Sequence, residues 1–381
     1  MRTHQLSWSA ANGWRASEAD YKGADLVLYF GSRSALADGE RYRDLRAMFA
    51  KAHVVGCSTG GQIHNDDVDD DIAAVALRFD RTQLKLACEA VPSPAHSRAC
   101  GEAIGKALVT GDLAGIFVLS DGLNVNGSEL VAGITAVAGP KIPLTGGLAG
   151  DGAKFEETLV GADCAPQSGR VAAIGFYGSS IRIGHGSAGG WDEFGPRRRI
   201  TRSSGNVLHE LDGELALDLY ERYLGAEDAR GLPGTALLFP LLIRDPAQPD
   251  QDVVRTVLAI DRKARSMTFA GDMPEGWVAQ LMRGNFDRLA AGAADAARQA
   301  RSRLGEDRDR QGLALLVSCI GRRLLMDQRV MDEVEAAGAE LGSRIPRIGF
   351  YSYGEISPHG AAGVCQLHNQ TMTVTAITEA A

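Results

Sequence analysis

Three times along this chain a buried-looking strand leads through a polar loop and a helix to a second strand, which ends in a glycine-rich turn. The first copy has strands at 26–30 and 53–57 around a helix near 39–51 and ends in Ser58-Thr59-Gly60-Gly61. The second has strands at 116–119 and 142–145 around a helix near 127–138 and ends in Gly146-Gly147-Leu148-Ala149-Gly150-Asp151. The third has strands at 313–319 and 347–351 around a helix near 327–341 and ends in Ser352-Tyr353-Gly354-Glu355. A further strand follows each turn, at 72–79, 171–177 and 371–377. In the last of these, Met372, Val374 and Ala376 alternate with Thr371, Thr373 and Thr375, the period of two that a half-buried strand requires. Each strand–helix–strand portion calls for a right-handed crossover between parallel neighbours. The fold class is therefore α/β, with mixed sheets built from repeated strand–helix–strand–glycine turn–strand units and helices on one face. Repeats place equivalent loops at equivalent ends of their sheets, so the three turns are expected to line a ligand site.

Composition narrows the function classes. With 381 residues and 45% hydrophobic content the chain can bury a large core in two or three domains. A net charge of −8 and a pI near 5.6 disfavour nucleic acid as a partner, because phosphates need clustered Lys and Arg. The first 20 residues hold no apolar stretch of signal-peptide length. The longest apolar run, 235–243, falls far short of the ~20 residues that span a bilayer. Six cysteines without framework spacing suit reduced thiols. A soluble, cytoplasmic protein without membrane insertion is the expectation.

Between 183 and 212 the texture shifts to glycine, arginine and polar residues, which reads as a connection between two halves. Beyond it come a helix near 213–223, a strand at 235–243, a hairpin-like pair at 253–260 and 267–270, and an alanine-rich helix at 286–303. Asn126 with Glu129 three residues on forms a capping-box pattern. It points a helix N-terminus at Asp121-Gly122-Leu123-Asn124, where an anionic or carbonyl group would be favoured, although a plain capped helix accounts for the pattern equally.

Several residues carry chemistry. Cys57, Ser58 and Thr59 follow a strand, where backbone amides and small hydroxyls can meet a ligand, but the glycine-lysine-serine/threonine ending of a phosphate loop is absent. Tyr353 and Glu355 flank Gly354, offering a donor and a carboxylate, whereas Gln62 stands where the first turn would carry its carboxylate. The acidic run at 66–71 lacks the glycine and distal glutamate of a calcium hand and reads as a solvated loop. Neither His-Glu-x-x-His nor Cys-x-x-Cys occurs, so a closed zinc site is not expected. Cys365 and His368 are three apart and point to opposite faces of a strand. His368 alone can be a hydrogen-bonded loop histidine or an axial ligand to haem. Arg197, Arg198 and Arg199 read as a solvated cluster or as a receiver of acidic groups.

Four segments resemble the FIST family of paired N and C sensory modules. They are Gly56 to Ile63, Gly146 to Asp151, the Gly189–Pro196 junction with Ile200, Thr201 and Asn206, and Gly349 to Ile356 with His368-Asn369-Gln370-Thr371. The resemblance covers nearly the whole chain and implies two modules, 20–210 (FIST N-like) and 211–377 (FIST C-like). The family's first turn carries alanine, glycine and glutamate where this chain has Gly60, Gly61 and Gln62. The implied role is non-catalytic ligand sensing in signal transduction, with Cys57, Ser58, Thr59, Asp121, Asn124, Gly147, Asp151, Tyr353, Glu355 and Asn369 as candidate ligand contacts. One branch of the family consists of haem-bound nitric-oxide sensors that regulate a partner histidine kinase. For that branch haem b is the cofactor, His368 the preferred axial ligand and His185 the second. The alternatives are an apo sensor of a small polar metabolite such as an amino acid, and an enzyme with Cys57 as nucleophile.

Overall fold

The computed structural model describes residues 1–16, 23–69, 71–247, 252–359 and 363–380. The expected module start at 20 and Asp70 of the acidic run lie outside them. Each repeat forms the unit its pattern implies. Leu26–Gly31 pairs parallel with His53–Ser58 and antiparallel with Ile72–Arg78. Leu113–Ser120 does the same with Leu144–Leu148 and Arg170–Tyr177, and Gly312–Cys319 with Arg347–Ser352 and Met372–Glu379.

The strand that follows each glycine turn leaves its own repeat. Gln62–His64, after the first turn, pairs with Arg347–Ser352 of the third repeat. Val160–Ala162, after the second, pairs with His53–Ser58 of the first. Gly354–His359, after the third, pairs with Leu144–Leu148 of the second. The exchange closes as a cycle. Arg2–Ser9, Gln83–Ala90 and Ile181–Ala188 extend the other sides of the sheets, giving three six-stranded sheets.

Strand periodicity then sorts the side chains. Leu26, Leu28 and Phe30 of the first sheet, Phe117, Leu119, Ile174 and Phe176 of the second, and Leu315, Val317, Ile348 and Phe350 of the third meet in one central core. Phe30 stacks on Phe350 with centroids 4.7 Å apart. Alternate residues face outward. Val27 and Tyr29 pack with residues of the helix Glu40–Met48, and Val118 and Leu316 with residues of the helices Ser97–Leu108, Gly127–Ala138, Phe286–Arg303 and Val330–Leu341. The strands of each repeat are buried on both faces, which explains their continuous apolar runs.

The stretch from 191 to 284 builds a separate curled sheet, ordered Asp252–Arg255, Leu241–Arg244, Val278–Gly284, Trp191–Ser204, Val207–Leu211, Ser266–Phe269 and Val257–Asp261. Ala216–Arg230 packs on it around Ile200, Leu217, Tyr220, Ile243 and Phe269. Here the sequence expectation needs correction. The junction stretch is itself structured, because Trp191–Ser204 is a 14-residue strand. Its polar texture reflects outward-facing residues along a strand, and Arg197 and Arg198 pair with Glu193 and Asp212 at 3.3 and 3.1 Å. The expected strand at 235–243 is a short 3₁₀ turn, Gly234–Leu238, followed by Leu241–Arg244. The strands Asp67–Asp69, Arg2–Ser9 and Gly13–Ala16 were not anticipated. No helix among the described residues is long and apolar enough to cross a membrane.

Each repeat also carries a glycine at the same structural place. Gly56, Gly146 and Gly349 sit opposite Tyr29, Val118 and Leu316 in the parallel pairs. A Cβ on any of them would fall inside the van der Waals radius of that partner's carbonyl oxygen. Gly56→Ala, Gly146→Ala and Gly349→Ala are each expected to destabilise by about 1–3 kcal/mol, the usual range for overpacking. Urea unfolding checks this, and three neutral substitutions would contradict the shared close approach.

Candidate functional site

The three glycine turns converge. Gly60 N donates to Tyr351 O (2.8 Å), Gly150 N to Ser58 O (2.9 Å) and Tyr353 N to Leu148 O (3.2 Å). The first turn thus holds the third, the second holds the first and the third holds the second. The result is a closed hub in which backbone donors and acceptors saturate one another. Ser58 Oγ accepts from Leu159 N (2.8 Å), and the Thr59 hydroxyl is buried beside Gly31 O. Gly147 faces the core, where a Cβ would stand 2.6 Å from Val317 Cγ1. Cys57 is fully buried among core side chains, and burial pushes its thiol pKa up. That works against the thiolate a nucleophilic Cys57 requires.

Each turn also carries one polar side chain that fastens a loop. Gln62, with its amide oriented to satisfy its neighbours, donates to Asp69 O (2.8 Å) and Asp71 O (3.1 Å) and accepts from Thr59 Oγ1 (2.6 Å) and Ser32 N (3.0 Å). A glutamate there would set a carboxylate against two carbonyl oxygens, which accounts for the amide in this chain. Asp151 accepts from Phe155 N (2.9 Å) and from Glu156 N and Glu157 N (both 3.1 Å). It also takes the Tyr353 hydroxyl and lies 3.6 Å from Arg33 Nη1. Glu355 accepts from Ser352 Oγ (2.5 Å), Thr371 N (3.2 Å) and Thr371 Oγ1 (3.0 Å). Burial raises its pKa to about 8, with those hydrogen bonds acting the other way.

Asp121 plays a similar role away from the hub. Its carboxylate accepts from Leu123 N, Asn124 N (both 2.8 Å), Gly169 N (2.7 Å) and Ser168 Oγ (3.1 Å), and Asn124 Nδ2 lies 3.4 Å away. Burial opposes ionisation here, yet the backbone donors hold the pKa below the ordinary aspartate value. Asn126 caps its helix through Ser128 N (3.0 Å) and Glu129 N (3.2 Å). The Glu129 carboxylate reaches Arg98 at 3.5 Å.

Open space lies where the curled sheet meets the three-repeat body. One cleft of about 250 Å³ is lined by Trp191, Glu193, Leu242, Asp252, His359 and His368, among others. A second of about 480 Å³ lies between Ser128, Val131 and Thr135 of the body helix, Val253, Arg255 and Trp277 of the sheet, and Val364–Leu367. The strand Asp252–Arg255 separates them, giving alternate side chains to each. The loop 368–371 links the parts. Trp191 Nε1 donates to Gln370 O (2.6 Å), Gln370 Nε2 to Leu237 O (3.1 Å) and Asn369 Nδ2 to Tyr353 O (3.3 Å). Asn369 Oδ1 and Gln370 Oε1 are buried without a partner.

His368 does not fit a haem ligand. It is 2% exposed, its Nε2 bonds Ser357 O at 3.0 Å, and its ring stands 4.8 Å from that of His359. Burial, with His359 and Arg255 nearby, lowers its pKa to about 3. The adjoining cleft, about 250 Å³, is small for a macrocycle, and Asp252, Glu193 and two imidazoles line it. His185 lies on a strand whose flanking glycines pack on the helix Phe286–Arg303. Burial, with Arg303 adding, lowers its pKa to about 4.

The FIST N domain model matches residues 25–214, and the FIST C domain model matches residues 216–358. The chain belongs to the FIST family. FIST domains are sensory modules of signal transduction. No curated protein matches the chain. Among solved structures, the cyanuric acid hydrolase from A. caulinodans is 11% identical, covers 79% of this chain and 100% of its own, and has a TM-score of 0.18. So slight a likeness carries no argument.

In FIST terms the 480 Å³ cleft is a contact between modules, with Ser128 and Val131 from FIST N and Arg255 and Trp277 from FIST C. No sequence motif singles out Arg255, His359 or Trp277. One signal for Arg255 was present: a lone cation in the apolar run Val253-Val254-Arg255-Thr256-Val257.

Two outcomes test the hub. A native state that keeps the Glu355 proton loses stability as pH rises from about 4.5 to about 8, by at most about 1.4 kcal/mol per unit, and changes little beyond. Glu355→Gln should flatten that slope in urea unfolding at pH 5 to 9, and an unchanged slope would place the titration elsewhere. Iodoacetamide should label the partly exposed Cys164 of the native protein well before Cys57, with Cys57 reacting on unfolding; early labelling of Cys57 would contradict its burial.

Proposed function

We propose that this protein is a non-catalytic sensor of a small metabolite, bound where the curled sheet meets the three-repeat body. The observation that supports it is the contrast between two regions. The glycine turns close on one another, whereas the clefts beside Asp252–Arg255 are open and are walled by both modules. A ligand there touches two packing units at once, so it can report its presence by changing how they sit together. The loop 368–371 joins Trp191 and Leu237 on one side to Tyr353 and Glu355 of the hub on the other, and supplies a route for that change.

Output passes to a partner protein, for which the family resemblance suggests a histidine kinase. The metabolite reading takes precedence over a haem-bound nitric-oxide sensor, because His368 is bonded through Nε2 and faces a small, half-polar cleft.

Thermal-shift titration against a metabolite panel tests the proposal. A true ligand raises stability with the logarithm of its concentration, by about 2.7 kcal/mol at a hundred times Kd. Substituting Trp191→Ala should weaken the coupling between ligand binding and any change in the hub, read by hydrogen exchange at Tyr353. The same preparation, expressed with added haem, is expected to show no Soret band. A band that shifts with nitric oxide would reverse the order of the two readings, and a silent panel would remove the first.

A further inference from the structure

The larger cleft holds a buried cation with which no carboxylate among the described residues forms an ion pair. Arg255 is 7% exposed and ends the strand Asp252–Arg255. Its Nε donates to Asp272 O (3.2 Å) and its Nη1 to Leu367 O (3.0 Å) and Val254 O (3.4 Å). All three acceptors are neutral carbonyls, and among the described residues no carboxylate forms an ion pair with the guanidinium. The nearest acidic influence is Asp272, which acts on the guanidinium through space without pairing with it and accepts from Asn126 Nδ2 at 3.2 Å. Burial lowers the pKa of Arg255 to about 10. A buried charge without a counterion costs several kcal/mol, so its retention asks for a partner that arrives from outside.

A second observation marks where that partner would sit. Ser128 Oγ is buried and has no hydrogen-bond partner. Both groups face Gly271, where a Cβ would stand 2.9 Å from Arg255 Cζ and 3.2 Å from Ser128 Oγ. Ser128 lies in the first turn of the helix Gly127–Ala138, whose positive end favours an anion. The rest of the lining is largely apolar: Val131, Ala132, Val253, Trp277 and Leu367.

We infer that this cleft binds a small monocarboxylate with an apolar body, its carboxylate on Arg255 and the Ser128 hydroxyl and its tail along Val131, Val253 and Trp277. One cation matches one negative charge, and the apolar walls match a tail rather than a second polar group. The inference rests on the sensory reading and names its ligand class.

Octanoate and 3-phenylpropionate are the probes, titrated into the full chain by calorimetry and followed by tryptophan fluorescence. Both should bind the wild type, while octanol and octylamine should not. Arg255→Met should weaken binding at least tenfold. Ala132→Phe, which fills the cleft and leaves Arg255 in place, should weaken it as well and guards against a folding artefact in the first variant. Absence of binding by either acid at millimolar concentration, or equal binding to Arg255→Met, would overturn the inference. A neutral or cationic metabolite that bound wild type and Arg255→Met alike would overturn it while leaving the sensory reading intact.

Discussion

The cyclic exchange of strands after the three glycine turns is the constraint on which the rest depends. Gln62–His64, Val160–Ala162 and Gly354–His359 each complete a sheet begun by another repeat. No repeat can therefore satisfy its own backbone donors and acceptors alone, and a buried unpaired group costs about as much as a lost hydrogen bond. The third repeat lies more than 120 residues after the second in sequence, yet it must return to close the ring. The stretch 191–284 is thereby forced outward as a loop long enough to fold into a sheet of its own. The central core inherits the same dependence, because Phe30, Phe117 and Phe350 meet only when all three sheets are in place.

That constraint also accounts for the composition of the turns. Small residues and glycines at strand ends suit ligand contact and suit close chain-to-chain approach equally well. Here the second use prevails. Ser58, Gly60, Gly150 and Tyr353 spend their backbone groups on neighbouring turns, and Asp151, Glu355 and Gln62 spend their side chains on loops. The differing chemistry of the three positions follows from what each loop presents. Gln62 meets two carbonyls and needs a donor, whereas Asp151 meets three backbone amides and needs an anion.

Much of the fold was legible in the chain. Periodicity located the nine strands of the repeats, and the helices at 127–138 and 286–303 fall where composition and capping put them. The exchange was not legible, since a local alternation says which face a strand buries but not which sheet it joins. Trp191–Ser204 escaped for a related reason: a strand with a solvent-facing side rich in arginine lacks the apolar run that marks one buried on both faces. For the site, His368 through Thr371 stood out and does lie at the junction. Arg255 shows in the sequence only as a lone cation in an apolar run, and that no carboxylate among the described residues pairs with it is seen only in three dimensions.

A locked body beside a separately cored sheet has a mechanical consequence. The three-repeat core cannot yield to a ligand without breaking a closed cycle of pairing, so the softer coordinate is the seating of the curled sheet on that body. The sheet has its own core around Leu217, Tyr220 and Phe269, and Trp191, Leu242 and Met282 seat it on Leu289 and Met326 of the body. On the sensory reading, a ligand acts only through the difference in its affinity for two such seatings. Arg255 is well placed to create that difference, because its guanidinium bridges sheet and body through Asp272 O and Leu367 O. On that reading, neutralising it changes the balance of charge at the contact itself, and the loop 368–371, one residue beyond Leu367, is the route toward Glu355 and the hub.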